Sequence, residues 1–330
     1  MDKILSISVA AYNVEKYLKK TISSITNSDQ DILNLIEIII INDGSTDNTS
    51  CIAENFASLF PNTVKVINKK NGGYGSTINA GILVASGKYF KQLDGDDWFL
   101  TENLRSFVLY LRECNSDLVL TPYYNFFENN NSIHQIDNHD ILIKQSIDLY
   151  RVAFTNNIQM HELTIQTDLL RKNCITISEN TFYTDNEYTF LPLIYAETIS
   201  KFDLPIYVYR LGRAGQSVSL SGAMKHYKDT ITVAKKMIQL FDMNRFEEIQ
   251  SIMSIKYKNI IDAVYMYHLC SDKSTAKIEL MEFDLWLKNT NLFLYKLSNE
   301  IKKIKLLRMS AFILFKVLSV KYINAWNKNK

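Results

Sequence analysis

The chain has 330 residues, 47% of them hydrophobic and 22% charged, the balance of a globular protein with room for one large domain plus a smaller one, or for two. A formal net charge of +2 argues neither for nor against nucleic acid, and 4 Pro with 10 Gly leave no material for a long flexible linker. Cys51, Cys114, Cys174 and Cys270 stand far apart with no C-x-x-C, and the chain shows neither a signal peptide nor a run of about 18 apolar residues, so a cytoplasmic protein with reduced thiols and no transmembrane helix is expected.

The first 120 residues alternate strand and helix patterns. Residues 4–10 read as a strand. Val14, Tyr17, Leu18, Ile22 and Ile25 then recur at helical spacing. Residues 36–41 are β-branched apart from Glu37, as in a strand buried on both faces. Residues 43–47 read as a loop in which Ser45 or Asp47 caps a helix reaching Phe60. A third strand over 64–67 leads into a glycine-rich loop, 69–75, and a helix to Ala85. A fourth strand covers 88–93. Thr101 is expected to cap a helix ending at Cys114, before a fifth strand over 117–121. This βαβ order predicts an α/β fold, a Rossmann-like, mostly parallel sheet flanked by helices. The pattern weakens over 123–150. From about residue 225 it turns helical, with helices expected over 225–241, 245–269, 274–288 and 292–326. The expected division is a domain over 1–222, with halves 1–125 and 126–222, and a helical region over 223–330.

The fourth strand runs directly into Asp94-Gly95-Asp96-Asp97. Carboxylates crowded at a strand end repel one another unless a cation neutralises them. Hard oxygen ligands without Cys or His point to Mg²⁺ or Mn²⁺, an ion that commonly bridges protein and phosphate. Ligands of open α/β sheets bind beyond the carboxyl ends of the strands, where Tyr12-Asn13, residues 42–47 and residues 94–97 all fall. Gly72, Gly73 and Gly75 are not a dinucleotide fingerprint, because Ile78 occupies the position of the third glycine. His134, His139, His226 and His268 have no partners at metal spacing, so no histidine zinc site is expected.

Taken together, Val9-Ala10-Ala11-Tyr12-Asn13, Ile41-Asn42-Asp43-Gly44-Ser45-Thr46-Asp47 and Asp94-Gly95-Asp96-Asp97 resemble the family 2 glycosyltransferases, of the bacterial surface-polysaccharide type. Asn71-Gly72-Gly73-Tyr74-Gly75, Asn79-Ala80-Gly81 and Ser86-Gly87 continue the resemblance, which covers residues 1 to about 125. It implies a GT-A fold and inverting, metal-dependent transfer of a hexosyl group from a nucleotide-sugar, with UDP as the expected nucleotide. Ala11, Tyr12 and Asn13 would line the base pocket, with Tyr12 stacking on uracil, and Asp43 would hydrogen-bond the base. Asp47 would only cap its helix. Gly73, Asn79 and Gly95 would lie along the donor. Asp96 would be the main ligand of Mn²⁺ or Mg²⁺, with Asp94 at the ribose or sharing the ion, and Asp97 a further ligand or a helix cap.

In Phe182-Tyr183-Thr184-Asp185-Asn186-Glu187-Tyr188 the family's Glu-Asp pair is replaced by Thr184-Asp185. Asp185 keeps the place of the general base and Glu187 is its rival; the missing Glu puts acceptor positioning in doubt more than the chemistry. Residues 209–219 resemble a segment that folds over the donor, in which Arg210 or Arg213 would meet the diphosphate and Gln216 and Ser217 would donate to phosphate or acceptor oxygens. His161 would touch an acceptor hydroxyl. The absence of a Q-x-x-R-W motif and of membrane helices implies addition of a single sugar.

The acceptor implied is a saccharide or a lipid-linked saccharide, in synthesis of a surface polysaccharide or glycolipid; no nucleic-acid partner is expected, and a homo-oligomer is left open. The C-terminal segment interleaves Lys302, Lys303, Lys305, Arg308, Lys316 and Lys321 with apolar residues, a pattern that fits peripheral contact with a membrane or packing on protein. In the membrane case, Tyr322 and Trp326 would sit at the interface. Two other readings are a non-catalytic sugar-nucleotide or polysaccharide-binding protein, and a sugar nucleotidyltransferase. The second lacks its usual basic glycine-rich loop after the first strand.

Overall fold

A computed structural model of the chain describes residues 2–139, 146–212 and 220–328. It divides into two compact units, one formed by Met1–Asn180 with Tyr188–Arg213 and the other by Thr181–Glu187 with Ala214–Lys330.

In the first unit, strands β1 (Leu5–Ala11), β2 (Ile36–Asn42), β3 (Val64–Asn68) and β4 (Tyr89–Asp94) alternate with helices α1 (Leu18–Thr26), α2 (Gln30–Leu35), α3 (Thr49–Leu59) and α4 (Tyr74–Val84). The remaining strands are β5 (Trp98–Phe99), β6 (Leu118–Leu120), β7 (Tyr123–Phe127), β8 (Ser132–Ile136), β9 (Ile147–Asp148), β10 (Leu163–Gln166), β11 (Thr198–Lys201) and β12 (Tyr207–Leu211), with helices α5 (Thr101–Glu113) and α6 (Thr167–Lys172) between them. The large sheet runs β3-β2-β1-β4-β10-β6-β11-β9, parallel from β3 to β4 and between β6 and β11. This is the mostly parallel sheet that the strand–helix alternation implies. Two strands escape that pattern: β9 pairs antiparallel with β11 at one edge, and β10 inserts antiparallel between β4 and β6, so the fourth and fifth expected strands are not neighbours. A second sheet runs β5-β12-β7-β8.

Every residue of β2 is buried, including Glu37. Its carboxylate accepts from Ser6 Oγ at 2.6 Å, from the Ser86 amide and from Lys65 Nζ at 2.7 Å. A polar residue in a two-sided strand is thereby satisfied rather than exposed. Thr101 does not cap α5. It is the helix's first residue, and its hydroxyl donates to Ser24 O at 2.7 Å. Asp47 does hold the start of α3, where Oδ1 accepts from Thr49 N at 3.0 Å.

The second unit is helical: α7 (Asp185–Phe190) begins in it, followed by α8 (Leu220–His226), α9 (Asp229–Gln239), α10 (Met243–Glu248), α11 (Gln250–Cys270), α12 (Ala276–Thr290), α13 (Leu292–Leu297), α14 (Lys302–Met309) and α15 (Phe315–Lys328). The 21-residue α11 runs through its centre and buries Ile252, Tyr257, Ile260, Val264 and Leu269. Expected long helices are interrupted. The one expected over 292–326 is three helices: a 3-10 turn over Ser298–Glu300 separates α13 from α14, and Ala311 and Phe312 take left-handed backbone angles between α14 and α15. No helix of the described residues is long and apolar enough to cross a membrane.

Burial pushes the Glu37 carboxyl up, but the hydrogen bonds from Lys65, Ser6 and Ser86 outweigh it and hold it below the ordinary value. Glu37→Ala strands buried donors, and is expected to lower the free energy of unfolding by about 3 kcal/mol in urea titrations at neutral pH. Because the folded-state pKa is lowered, this contribution is complete above the unfolded value and is lost as pH falls through the folded one. The difference between the two proteins should therefore shrink below about pH 4.

Candidate active site

Parallel registry puts Ala10 beside Asp94 and Ala11 beside Asn42, so β1, β2 and β4 end at one edge of the sheet. The Gly95 amide donates to Ala10 O at 2.9 Å. A Cβ at Gly95 would lie 2.7 Å from that oxygen, so the turn approaches β1 this closely only with glycine. Three carboxylates are thus fixed at the end of one strand.

Asp97 is buried, and its carboxylate accepts from Tyr207 Oη at 2.5 Å and from the Arg210 amide at 2.7 Å. The same tyrosine oxygen accepts from the Asp94 amide at 3.1 Å, and Asp94 Oδ1 accepts from Tyr74 Oη at 2.6 Å. Burial first, then the charges of Asp94 and Asp96, push the Asp97 carboxyl well above the usual range. It therefore serves the inside of the turn and is not a helix cap. Arg210 corrects a second expectation. Its side chain is buried, with Nε donating to Asp96 O at 2.8 Å, Nη1 3.2 Å from Glu128, and the guanidinium over the rings of Tyr17 and Trp98 at 4.7 and 5.0 Å. It braces the carboxylate turn instead of reaching out as a diphosphate arm.

His161 joins this cluster. Its ring stacks on Tyr209 with centroids 4.0 Å apart and meets Tyr207 edge-on at 4.9 Å, and its Nδ1 is buried without a hydrogen bond. Burial, and then the Lys91 charge, push its pKa down to about 3, so the ring is neutral and one nitrogen keeps its lone pair. One ligand atom from each of Asp94, Asp97 and His161 lies within 4.8 Å of the others. Among the described residues these three could hold a metal ion, and Asp96, the expected main ligand, is not one of them. His161 thus sits with the carboxylates. Beneath it, buried Lys91 donates to His161 O at 3.0 Å, and burial lowers its pKa to about 7.

Beyond β2, Asp43 is also buried. Its carboxylate accepts from the amides of Gly72 at 3.0 Å and Gly73 at 2.9 Å and from Lys69 Nζ at 2.7 Å. The residue assigned to the nucleobase therefore holds the glycine loop in shape. Gly73 has φ of +80° at the start of α4, a conformation costly for any residue with a Cβ. Asn13 Oδ1 accepts from Thr46 N at 2.8 Å, joining the ends of β1 and β2. Tyr12 stands beside them, 51% exposed, with its ring open to a ligand. Asn79 does not face the donor edge. Its amide exchanges hydrogen bonds with Ile177 N and O at 2.8 Å each and reaches Glu179 at 3.0 Å, pinning the 177–179 segment to α4.

In the second unit, Asp185 heads α7 and is exposed. The protein atoms crowded around its carboxyl raise its pKa above the ordinary value, against the pull of Asn186 and Lys256. Tyr183, two residues before it, has φ of +66° and stacks on Tyr267 at 4.8 Å. Glu187 is excluded as a rival base: it is buried and paired with Lys236 Nζ at 2.6 Å. Arg213, Gln216 and Ser217 lie outside the described residues. The sequence reading missed Tyr74, Lys91, Tyr207 and Tyr209. The alternation Tyr207-Val208-Tyr209-Arg210, with one face for each pair, was the available signal for the last two.

The parallel strand ends, the held glycine loop and the carboxylate turn define an α/β protein of the GT-A class. The family model "Glycosyl transferase family 2" matches residues 6–175, and the chain belongs to that family. EpsH of Bacillus subtilis (strain 168) is 29% identical over 216 residues, which are 63% of this chain and 60% of EpsH. The minor teichoic acid biosynthesis protein GgaA of the same organism is 35% identical over 127 residues, 37% of this chain and 28% of GgaA. The match thus spans less than two thirds of these curated relatives. The crystal structure of S. aureus TarS 1-349 in complex with UDP-GlcNAc shares the fold, with a TM-score of 0.62 at 18% identity over 91% of this chain and 92% of that one.

Mn²⁺ is expected to raise the melting temperature of the unmodified protein. Asp94→Asn or His161→Ala should abolish the rise, and Asp96→Asn should leave most of it; differential scanning fluorimetry with and without EDTA checks this.

Proposed function

We propose that the protein is an inverting glycosyltransferase that moves one sugar from a UDP-sugar to a hydroxyl of a saccharide or lipid-linked acceptor in bacterial surface-polymer synthesis. The observation that carries this reading is the convergence of Asp94, Asp97 and His161 at the edge where β1, β2 and β4 end, inside the segment matched by the family. The UDP-GlcNAc complex of TarS supports UDP as the nucleotide, and the teichoic acid role of GgaA supports a cell-envelope acceptor.

Asp94 and His161 would hold a divalent cation, with Asp97 behind them and Asp96 on the same turn. When bound, the ion would offset the negative charge of the diphosphate. The exposed Tyr12 ring would stack on the base, and the loop fixed by Asp43 would present its backbone to the nucleotide. Asp185 would accept the proton of the acceptor hydroxyl. As the acceptor oxygen bonds to the anomeric carbon, the bond from that carbon to the diphosphate oxygen breaks, UDP leaves, and the configuration inverts.

Asp185→Asn should retain UDP-sugar binding and lose about 10³-fold in kcat, measured as UDP release and product formation. A variant with undiminished turnover would remove Asp185 as the base. A general base works only when ionised, and the Asp185 pKa is raised. The acid limb of the kcat–pH profile should therefore have its midpoint above the ordinary aspartate value of about 4.

A further inference from the structure

The net charge of +2 hides an asymmetry. Residues 301–330 contain eight Lys or Arg and no Asp or Glu, leaving 29 basic against 35 acidic residues in the rest of the chain. The structure sorts these cations by direction. Lys303 pairs with Asp262 at 2.8 Å, and Arg308 pairs with Asp284 at 2.7 Å, both inside the helical unit. Lys302, Lys305, Lys316 and Lys321 are exposed, and none of them forms an ion pair among the described residues.

The apolar residues are sorted too. Ile304, Leu307, Phe312, Phe315 and Leu318 point into the unit and are buried. Leu306, Met309, Ile313, Leu314, Val317 and Val320 are left exposed, Met309 and Ile313 by 75% and 77%. The left-handed residues Ala311 and Phe312 contribute to this pattern. They end α14 and fold the Phe312 ring toward Tyr265, 6.4 Å away, while Ile313 and Leu314 remain outside. Tyr322 and Trp326, expected at the interface, are only partly exposed. Lys303 Nζ lies 5.2 Å from the Tyr322 ring, and Trp326 lies 5.9 Å from Tyr267.

We infer that the outer face of α14 and α15 is a docking surface for an anionic lipid bilayer, with Met309, Ile313, Leu314, Val317 and Val320 entering the interface and Lys302, Lys305, Lys316 and Lys321 meeting lipid phosphates. An apolar strip flanked by unpaired lysines and free of carboxylates complements a surface that is apolar within and negative at its rim. A protein partner would need its own acidic rim, and a second copy of this chain would bring the same lysines face to face. The inference concerns the surface of the helical unit and does not depend on the reaction proposed above.

Sedimentation of the 330-residue chain with vesicles tests it. Binding to phosphatidylcholine vesicles containing phosphatidylglycerol should exceed binding to phosphatidylcholine alone by at least about tenfold, and should fall as salt rises. Ile313→Asp with Val317→Asp, and separately Lys305→Glu with Lys316→Glu, should reduce binding to the neutral-vesicle level. Both pairs are exposed, and unchanged circular dichroism and melting temperature would show that the variants fold. If a pair fails to fold, the salt dependence and lipid preference of the unmodified chain decide the matter. Equal binding to both vesicle types, or none to either, would overturn the inference. So would a dimer that the Ile313/Val317 variant splits while no vesicles are bound, which would make the face an interface between copies.

Discussion

The site rests on holding three carboxylates within one turn. Asp94 ends a strand that is otherwise buried, Asp96 and Asp97 follow it, and their mutual repulsion would open the turn if nothing opposed it. β12 supplies the opposition. The Tyr207 hydroxyl joins the Asp94 amide to the Asp97 carboxylate, the Arg210 amide takes the other Asp97 oxygen, and the Arg210 side chain ties down Asp96 O. β12 belongs to the small sheet and β4 to the large one, so the turn is fixed by a strand more than 100 residues away in sequence. Much of the apparent surplus of charge and aromatic area in the first unit follows from that need. Tyr17, Trp98 and Phe126 enclose the guanidinium, and Tyr209 carries the imidazole.

Asp43 shows the same economy on the neighbouring strand. A carboxylate that accepts two backbone amides and a lysine is a structural anchor before any ligand arrives. The glycine loop it holds then needs little reorganisation to present its backbone to a ligand, which lowers the entropic cost of binding. The second unit handles its buried charges differently. Glu187–Lys236, Asp262–Lys303 and Asp284–Arg308 are paired structurally within the bundle, while Asp185 stays exposed at a helix start.

The sequence made β1 to β4 legible because they are short runs rich in β-branched or aromatic residues and bounded by polar turns. It did not reveal β10, a four-residue strand of mixed polarity whose place beside β4 depends on pairing across about 75 residues. Asp94 could be read from its position at a strand end. Asp96 was preferred to Asp97 because a sequence carries no burial, and only burial shows that Asp97 and His161 turn inward together. Asn79 was misread for the opposite reason: its helix is where it should be, but the 177–179 segment, nearly 100 residues on, takes its amide. The break in the C-terminal helix had no glycine or proline to announce it. Ala311 and Phe312 accept left-handed angles because the Phe312 ring is buried in exchange.

Isothermal titration of UDP-GlcNAc into the full chain with Mn²⁺ present, repeated with EDTA and with Asp94→Asn, tests the central claim most directly. The account predicts binding that is strong with the metal and weakened at least about tenfold both by chelation and by the substitution, since each removes the charge that meets the diphosphate. Affinity unchanged by both would mean that the carboxylate turn does not hold the donor, and would contradict it.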